Sequence, residues 1–190
     1  MNTLSDYDLP KDVRIAYTQS LVLHIQSVYY AGKLLGLPGR QLRLHDESKW
    51  SKLEFEAYAL WYHGEKDPRK YAYAWNHHVH NNSHHWQHWL FADGFTLDGA
   101  GMQGNRLEMP EHYALEMIAD WMGAEMAYNN TWIMTKWLND NFGWSKLHDN
   151  RVQLHDSTWN FVANVLSNQL DYIWTDYGWY HASELEVVKL

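Results

Sequence analysis

The sequence predicts an all-α fold, a single compact multi-helix domain over residues 1–190. Three observations carry this. Apolar residues recur at three- and four-residue steps over long stretches. No run alternates apolar and polar residues as a half-buried strand would. Clusters of glycine and proline separate the periodic segments. With 190 residues, 46% of them hydrophobic, the chain is long enough to bury one core and short for two.

Asp8-Leu9-Pro10 opens the first helix, with proline near the first turn. The spacing of Tyr17, Leu21, His24, Val28 and Ala31 carries that helix to about Gly36 and places His24 on its inward face. Gly36-Leu37-Pro38-Gly39 stops it. A short helical piece over 40–45 leads into Asp46, and Ser48 or Ser51 caps the next helix, 52–61, where Leu53, Tyr58, Leu60 and Trp61 mix with Glu54 and Glu56. The run from His63 to Pro68 breaks it. Residues 69–90 read as one long helix, 92–109 as a glycine-rich loop over the site, and Pro110-Glu111 as a restart. In that restarted helix Tyr113, Met117, Asp120 and Ala124 share a face. Helices over 132–142 and 157–174 follow, the last entered at Asp156-Ser157.

Composition excludes several functions. The net charge of −8, with Lys and Arg dispersed, argues against a nucleic-acid polymer as partner. No apolar run reaches the length of a membrane span, and the first residues lack the basic and apolar regions of a signal peptide, so the expected location is cytoplasmic. The absence of cysteine removes disulfides, thiolate ligands and thiol nucleophiles together. Exposed residues among the many Trp and Tyr make a homodimer plausible on composition alone.

The 13 histidines are unevenly placed. A His and an Asp aimed at a core need partners, and a shared cation satisfies both. His24, the His45-Asp46 pair and Asp120 therefore form a candidate metal site. The dipeptide alone is weak evidence, since His148-Asp149 and His155-Asp156 repeat it; those copies read as turn and N-cap residues. One geometric demand follows. A straight first helix puts His24 about 18 Å from its end, so the chain must cross back or the helix must end early. Between Trp75 and His88 lie six further histidines. On a helical wheel His77, His80, His84 and His88 share one face, with His78 and His85 on a neighbouring one. His85 is the first candidate ligand here, with His80 and His84 behind it.

This order of residues resembles the HD superfamily, which arranges its ligands as His…His-Asp…Asp, with two further His inserted where two metals bind. The chain is more closely similar to an uncharacterised family of phages and bacteria. The matching segments are His45-Asp46-Glu47-Ser48-Lys49-Trp50, Glu54-Phe55 with Tyr58, 75–80, Asn82 with His84-His85-Trp86, and Met109-Pro110 leading to Met117-Ile118-Ala119-Asp120-Trp121. The likeness covers about residues 20–160.

The superfamily resemblance implies hydrolysis of a phosphate ester, usually a nucleotide, with a small-molecule phosphate as partner. Mixed His and carboxylate ligands suit one or two ions of Mn, Fe, Co or Zn. Within that reading Lys49 offsets phosphate charge and Ser48 donates a hydrogen bond. Glu47 or Glu54 serves as general base, and Trp86 stacks on a base. Two alternatives stay open: an HD-type di-iron oxygenase, which a histidine-rich second cluster equally suits, and a non-catalytic phage accessory or ligand-binding protein.

Overall fold

The computed structural model describes residues 7–92, 101–143 and 154–186. Its elements are α1 (Lys11–Leu34), α2 (Gly39–Leu42), α3 (Lys52–His63), α4 (Pro68–Asn81), α5 (Glu111–Asn129), α6 (Thr135–Phe142), α7 (Asp156–Gln169), β1 (Tyr172–Thr175), β2 (Gly178–His181) and α8 (Ala182–Glu186). Two 3-10 turns, Glu47–Trp50 and Trp86–Trp89, flank α3 and α4. The class is all-α, as expected, with one small sheet among the described residues.

Helix α1 organises the molecule. Its first half packs Val13, Tyr17 and Leu21 against Phe55, Tyr58 and Ala74 of α3 and α4. Tyr7 stacks on Phe55 with ring centroids 3.9 Å apart. Its second half packs Val28 and Ala31 against Met117, Ile118 and Met122 of α5, in a larger cluster completed by α6, α7 and the hairpin. Full burial of a side chain such as Phe55 or Ile118 contributes about 1.5–3 kcal/mol. His24 lies on α1 between Leu21 of one cluster and Val28 of the other, so the polar site sits at the seam between two apolar bodies.

The chain meets the demand of returning from the end of α1 to His24 by folding back on it. Gly36, at φ +82°, adopts the left-handed conformation that reverses the chain. Helix α2 then lies against α1, where the bare face of Gly32 receives the Leu42 side chain. Serine 51 caps α3, accepting from Glu54 N at 3.3 Å. Asp67 caps α4, accepting from both Arg69 N and Lys70 N at 3.0 Å, with Pro68 as its first residue.

Three sequence expectations need correction. The helix over 69–90 ends at Asn81. Asn81 and Asn82 turn their amides back onto the carbonyls of His77 and His78, both at 2.8 Å, and this local bonding competes with continuation of the helix. The helix over 157–174 ends at Gln169, its N-cap being His155, and Asp171 at φ 57° turns the chain into a hairpin. Tyr172 pairs with His181 and Thr175 with Gly178 across it. The β-branched and aromatic run 172–175, followed by Asp176-Tyr177-Gly178, is the hairpin signal that helical periodicity obscured. Third, α6 begins at Thr135, not 132, because Asn130 at φ 54° closes α5 before an irregular stretch. Of the expected loop over 92–109, the described part 101–109 is irregular with isolated bridges such as Leu90 to Arg106. The rest of that loop, and His148-Asp149, lie outside the described residues.

Helices α1 and α5 approach so closely that a Cβ on Gly123 would lie 2.7 Å from the backbone nitrogen of Val28 and 2.9 Å from its Cα. Backbone cannot yield as a side-chain tip can. Gly123→Ala is therefore expected to destabilise the fold by about 1–3 kcal/mol, read from denaturant unfolding. Unchanged stability would show that the two helices can separate freely.

Candidate metal centre

Four segments converge on the seam. Helix α1 supplies His24, and α5 supplies Glu116 and Asp120 one turn apart. The end of α4 supplies His78, and the segment after it His84 and His85. The turn after α2 supplies His45 and Asp46. Asp46 is in the left-handed region at φ 57°, a conformation that Asp tolerates better than most residues. That bend lets two consecutive side chains enter one site, with His45 Nε2 3.4 Å from Asp46 Oδ2.

The ligand atoms form two groups that share Asp46. On one side, His24 Nε2 lies 3.1 Å from both Asp46 Oδ2 and Asp120 Oδ1, and His45 Nε2 lies 3.4 Å from the same two oxygens. On the other, Asp46 Oδ1 is 3.3 Å from His78 Nε2 and 3.5 Å from His84 Nε2. His85 Nε2 is 2.8 Å from His78 Nε2. Within each group every potential ligand atom lies within 4.8 Å of the others. His45, His84 and Glu116 form a third, overlapping group.

Behind the ligands stand two buried glutamates. Glu116 Oε1 accepts from His45 Nδ1 at 3.0 Å, while its Oε2 accepts from Gln41 Nε2 at 2.6 Å. Glu54 Oε2 accepts from His78 Nδ1 at 2.8 Å and Oε1 from His77 Nδ1 at 2.6 Å. A carboxylate on Nδ1 fixes the imidazole tautomer and leaves Nε2 bare toward the site, as metal-ligating histidines require. Ser48 Oγ, in turn, accepts from Asn82 Nδ2 at 2.7 Å beside His78.

The electrostatics agree with a cation. His45 Nε2, Asp46 Oδ1 and His84 Nε2 are buried without a hydrogen-bond partner. Each such atom costs about 1–3 kcal/mol, and cations held by the two groups that share Asp46 would satisfy all three. Burial opposes ionisation of Asp46, but His45, Lys49 and His78 outweigh it and hold its pKa well below the ordinary value. Burial likewise opposes ionisation of Glu116, yet hydrogen bonds from His45 and His84 hold it near about 2. Burial, reinforced by His84 and His78, pushes His85 well below the usual histidine range, which keeps it neutral and able to ligate. His45 moves the other way: burial opposes its charge, while Asp46, Asp120 and Glu116 raise its pKa well above the usual value.

The structure thus brings together His24, His45, Asp46, His84, His85 and Asp120, six of the seven ligands expected from sequence. His80 is exposed, its Nδ1 donating to Asn76 O at 2.7 Å, and takes no part. Glu47 is also exposed. Glu54 is fully buried behind His78, which makes it an orienting group in place of the expected base. Lys49 Nζ lies 2.6 Å from Asp46 Oδ2. Lys49 and Trp86 both line a cavity of about 530 Å³ that opens onto His24, His78, His85 and Asp120. Sequence reasoning missed His78 and Glu116. The stripe Tyr71, Ala74, His78 marks His78 as inward-facing, and the four-residue step from Glu116 to Asp120 marks the glutamate.

Glu116→Gln and Glu54→Gln are each expected to weaken divalent-metal binding about 10–100-fold with helical content retained, whereas His80→Ala leaves affinity and stoichiometry unchanged. Calorimetric titration of metal-free protein reads all three. Because the raised pKa of His45 keeps it protonated in metal-free protein near neutrality, an ion must displace that proton. Affinity therefore keeps rising with pH above the ordinary histidine range, with proton release visible in buffers of different ionisation enthalpy. An affinity flat in pH would remove His45 from the ligand set.

Neither the curated proteins nor the solved structures contain a match to this chain. A family model described as "Family of unknown function (DUF5662)" matches residues 14–168. That span takes in every candidate ligand and both supporting glutamates. The chain belongs to this family, DUF5662.

Proposed function

We propose that this chain is a metal-dependent phosphohydrolase of HD type that acts on a nucleotide or another small phosphate ester. The observation that carries the reading is the double use of Asp46, which turns one oxygen toward His24, His45 and Asp120 and the other toward His78 and His84. A carboxylate placed so suits two neighbouring divalent ions. Mixed imidazole and carboxylate donors favour Mn, Fe, Co or Zn over Mg. Ions held by His24, His45, Asp46 and Asp120 and by Asp46, His78, His84 and His85 would supply Lewis acidity toward a phosphoryl oxygen and a water.

The remaining roles belong to the chain. Lys49 is held against Asp46 at the cavity wall, where its ammonium can meet a phosphate oxygen. Burial disfavours its charge, but Asp46 and Asp120 more than offset this, so it stays a cation. Glu54 and Glu116 keep the imidazoles oriented. Trp75 and Trp86 wall the cavity beside His85 and limit water access. No described helix is long and apolar enough to cross a membrane.

A second reading, a di-iron oxygenase, draws support from the group of Asp46, His78, His84 and His85, in which three histidines accompany one carboxylate. The two differ in metal and co-substrate: an oxygenase requires iron and consumes O₂, whereas a hydrolase releases phosphate anaerobically with Mn²⁺ or Co²⁺.

Asp46→Asn keeps a residue that tolerates the left-handed backbone while removing the charge and one ligand oxygen. It is expected to lose metal binding by more than the roughly 100-fold ceiling of a supporting-residue change, and phosphatase activity with it, at unchanged helical circular dichroism. Elemental analysis and phosphate release check both. Full activity in this variant would overturn the site assignment.

A further inference from the structure

We infer that the cavity over the metal centre takes a phosphomonoester carrying one flat, uncharged ring with a hydrogen-bonding edge, as a nucleoside monophosphate does, and discriminates against di- and triphosphates. The inference rests on the hydrolase reading and specifies its substrate class.

Charge sets the phosphate number. Among the described residues lining the cavity, Lys49 is the one lysine or arginine, and its ammonium already faces Asp46 at 2.6 Å. The other fixed charges on the wall are the carboxylates of Asp120 and Asp140. One phosphoryl group can be met by Lys49 and the metal centre. Each further phosphate adds negative charge opposite walls that offer carboxylates and rings, and burying it there goes uncompensated. Sites that bind polyphosphates do so with several cationic groups or a cradle of backbone N–H donors.

Shape and unsatisfied polarity set the rest of the ligand. A volume of about 530 Å³ suits one small ligand. The walls are ring faces: Tyr62 stacks near Tyr128 at 6.3 Å between centroids, and Trp75 stands edge-on to His85 at 5.2 Å, next to the ligand atoms. Such faces hold a planar heterocycle by stacking. Apart from His24 of the metal site, whose Nδ1 is also unpaired, two cavity-lining residues each carry a buried polar atom without a partner. Tyr58, only 3% exposed, has an unpaired hydroxyl, and Gln87 has an unpaired Oε1. The phenol O–H of Tyr58 is a donor and the amide oxygen of Gln87 an acceptor. One donor and one acceptor without partners match a ring edge that carries both an acceptor and a donor, which a sugar phosphate lacks in planar form.

The test uses full-length protein loaded with Co²⁺, whose visible absorption confirms that the metal stays bound. Binding of AMP, ADP, ATP and ribose 5-phosphate is read by tryptophan quenching and calorimetry, alongside phosphate release. Expected is AMP binding at least about tenfold tighter than ATP and than ribose 5-phosphate. Tyr58→Phe, which removes only an unpaired buried hydroxyl, should weaken AMP about tenfold and leave ribose 5-phosphate unchanged. Equal or tighter binding of ATP, parity of ribose 5-phosphate with AMP, no binding of AMP, or indifference of AMP to Tyr58→Phe would each overturn the inference. AMP binding in this order without phosphate release from any compound, under Co²⁺, Mn²⁺ or Zn²⁺, would uphold the ligand class and sink the hydrolase reading, so the two failures are distinguishable.

Discussion

Asp46 has no exposed surface, and around its two oxygens stand four imidazole nitrogens and the ammonium of Lys49. A carboxylate stripped of water costs several kcal/mol unless charge and hydrogen bonds replace what hydration supplied. Here the replacement comes from α1, from the 45–49 turn, and from the end of α4 with the segment after it, none of which could satisfy Asp46 alone. Nearby, Glu54, Glu116 and Asp120 add three more carboxylates against Lys49 as the one lysine among them. A divalent cation at the shared carboxylate would offset this excess of buried acid.

The scaffold follows from the same constraint. Helix α1 is long enough to join two apolar clusters, and the seam between them is where polar groups can converge while apolar packing around them keeps solvent from most of the centre. Gly123 allows α5 to approach the α1 backbone, bringing Glu116 and Asp120 within reach of His45 and His24. Gly36 and α2 return the chain along α1 and deliver His45-Asp46 to the same place. Ser51-Lys52-Leu53-Glu54 has the letters of a capping box, yet only half of it forms. Ser51 caps the helix, while the Glu54 carboxylate turns inward to hold His77 and His78. Local helix stability is given up there to orient a ligand.

Family membership adds a span and no chemistry, since the family itself is of unknown function. The functional argument therefore stands on this chain's own geometry: the shared carboxylate, the carboxylate-backed histidines, and a ring-lined cavity beside them.

The sequence by itself determined the helical class, the inward placement of His24 and Asp120, and the importance of His45-Asp46. The reason is that a 3.6-residue period records which face of a helix is buried, and a polar residue on that face stands out. It did not reveal that α4 stops at Asn81. The wheel drawn through 69–90 grouped His80 with His84, whereas the structure exposes His80 and joins His78 to His84 and His85 across a bend. Periodicity is blind to a helix end made by asparagine side chains bonding to the backbone, because that bond depends on local geometry rather than hydrophobic pattern. Nor could it assign Glu54 and Glu116, whose roles come from histidines 23 to 71 residues away in the chain. Tertiary structure alone decided which carboxylates face the centre and which stand behind its histidines, since that depends on how separate helices meet.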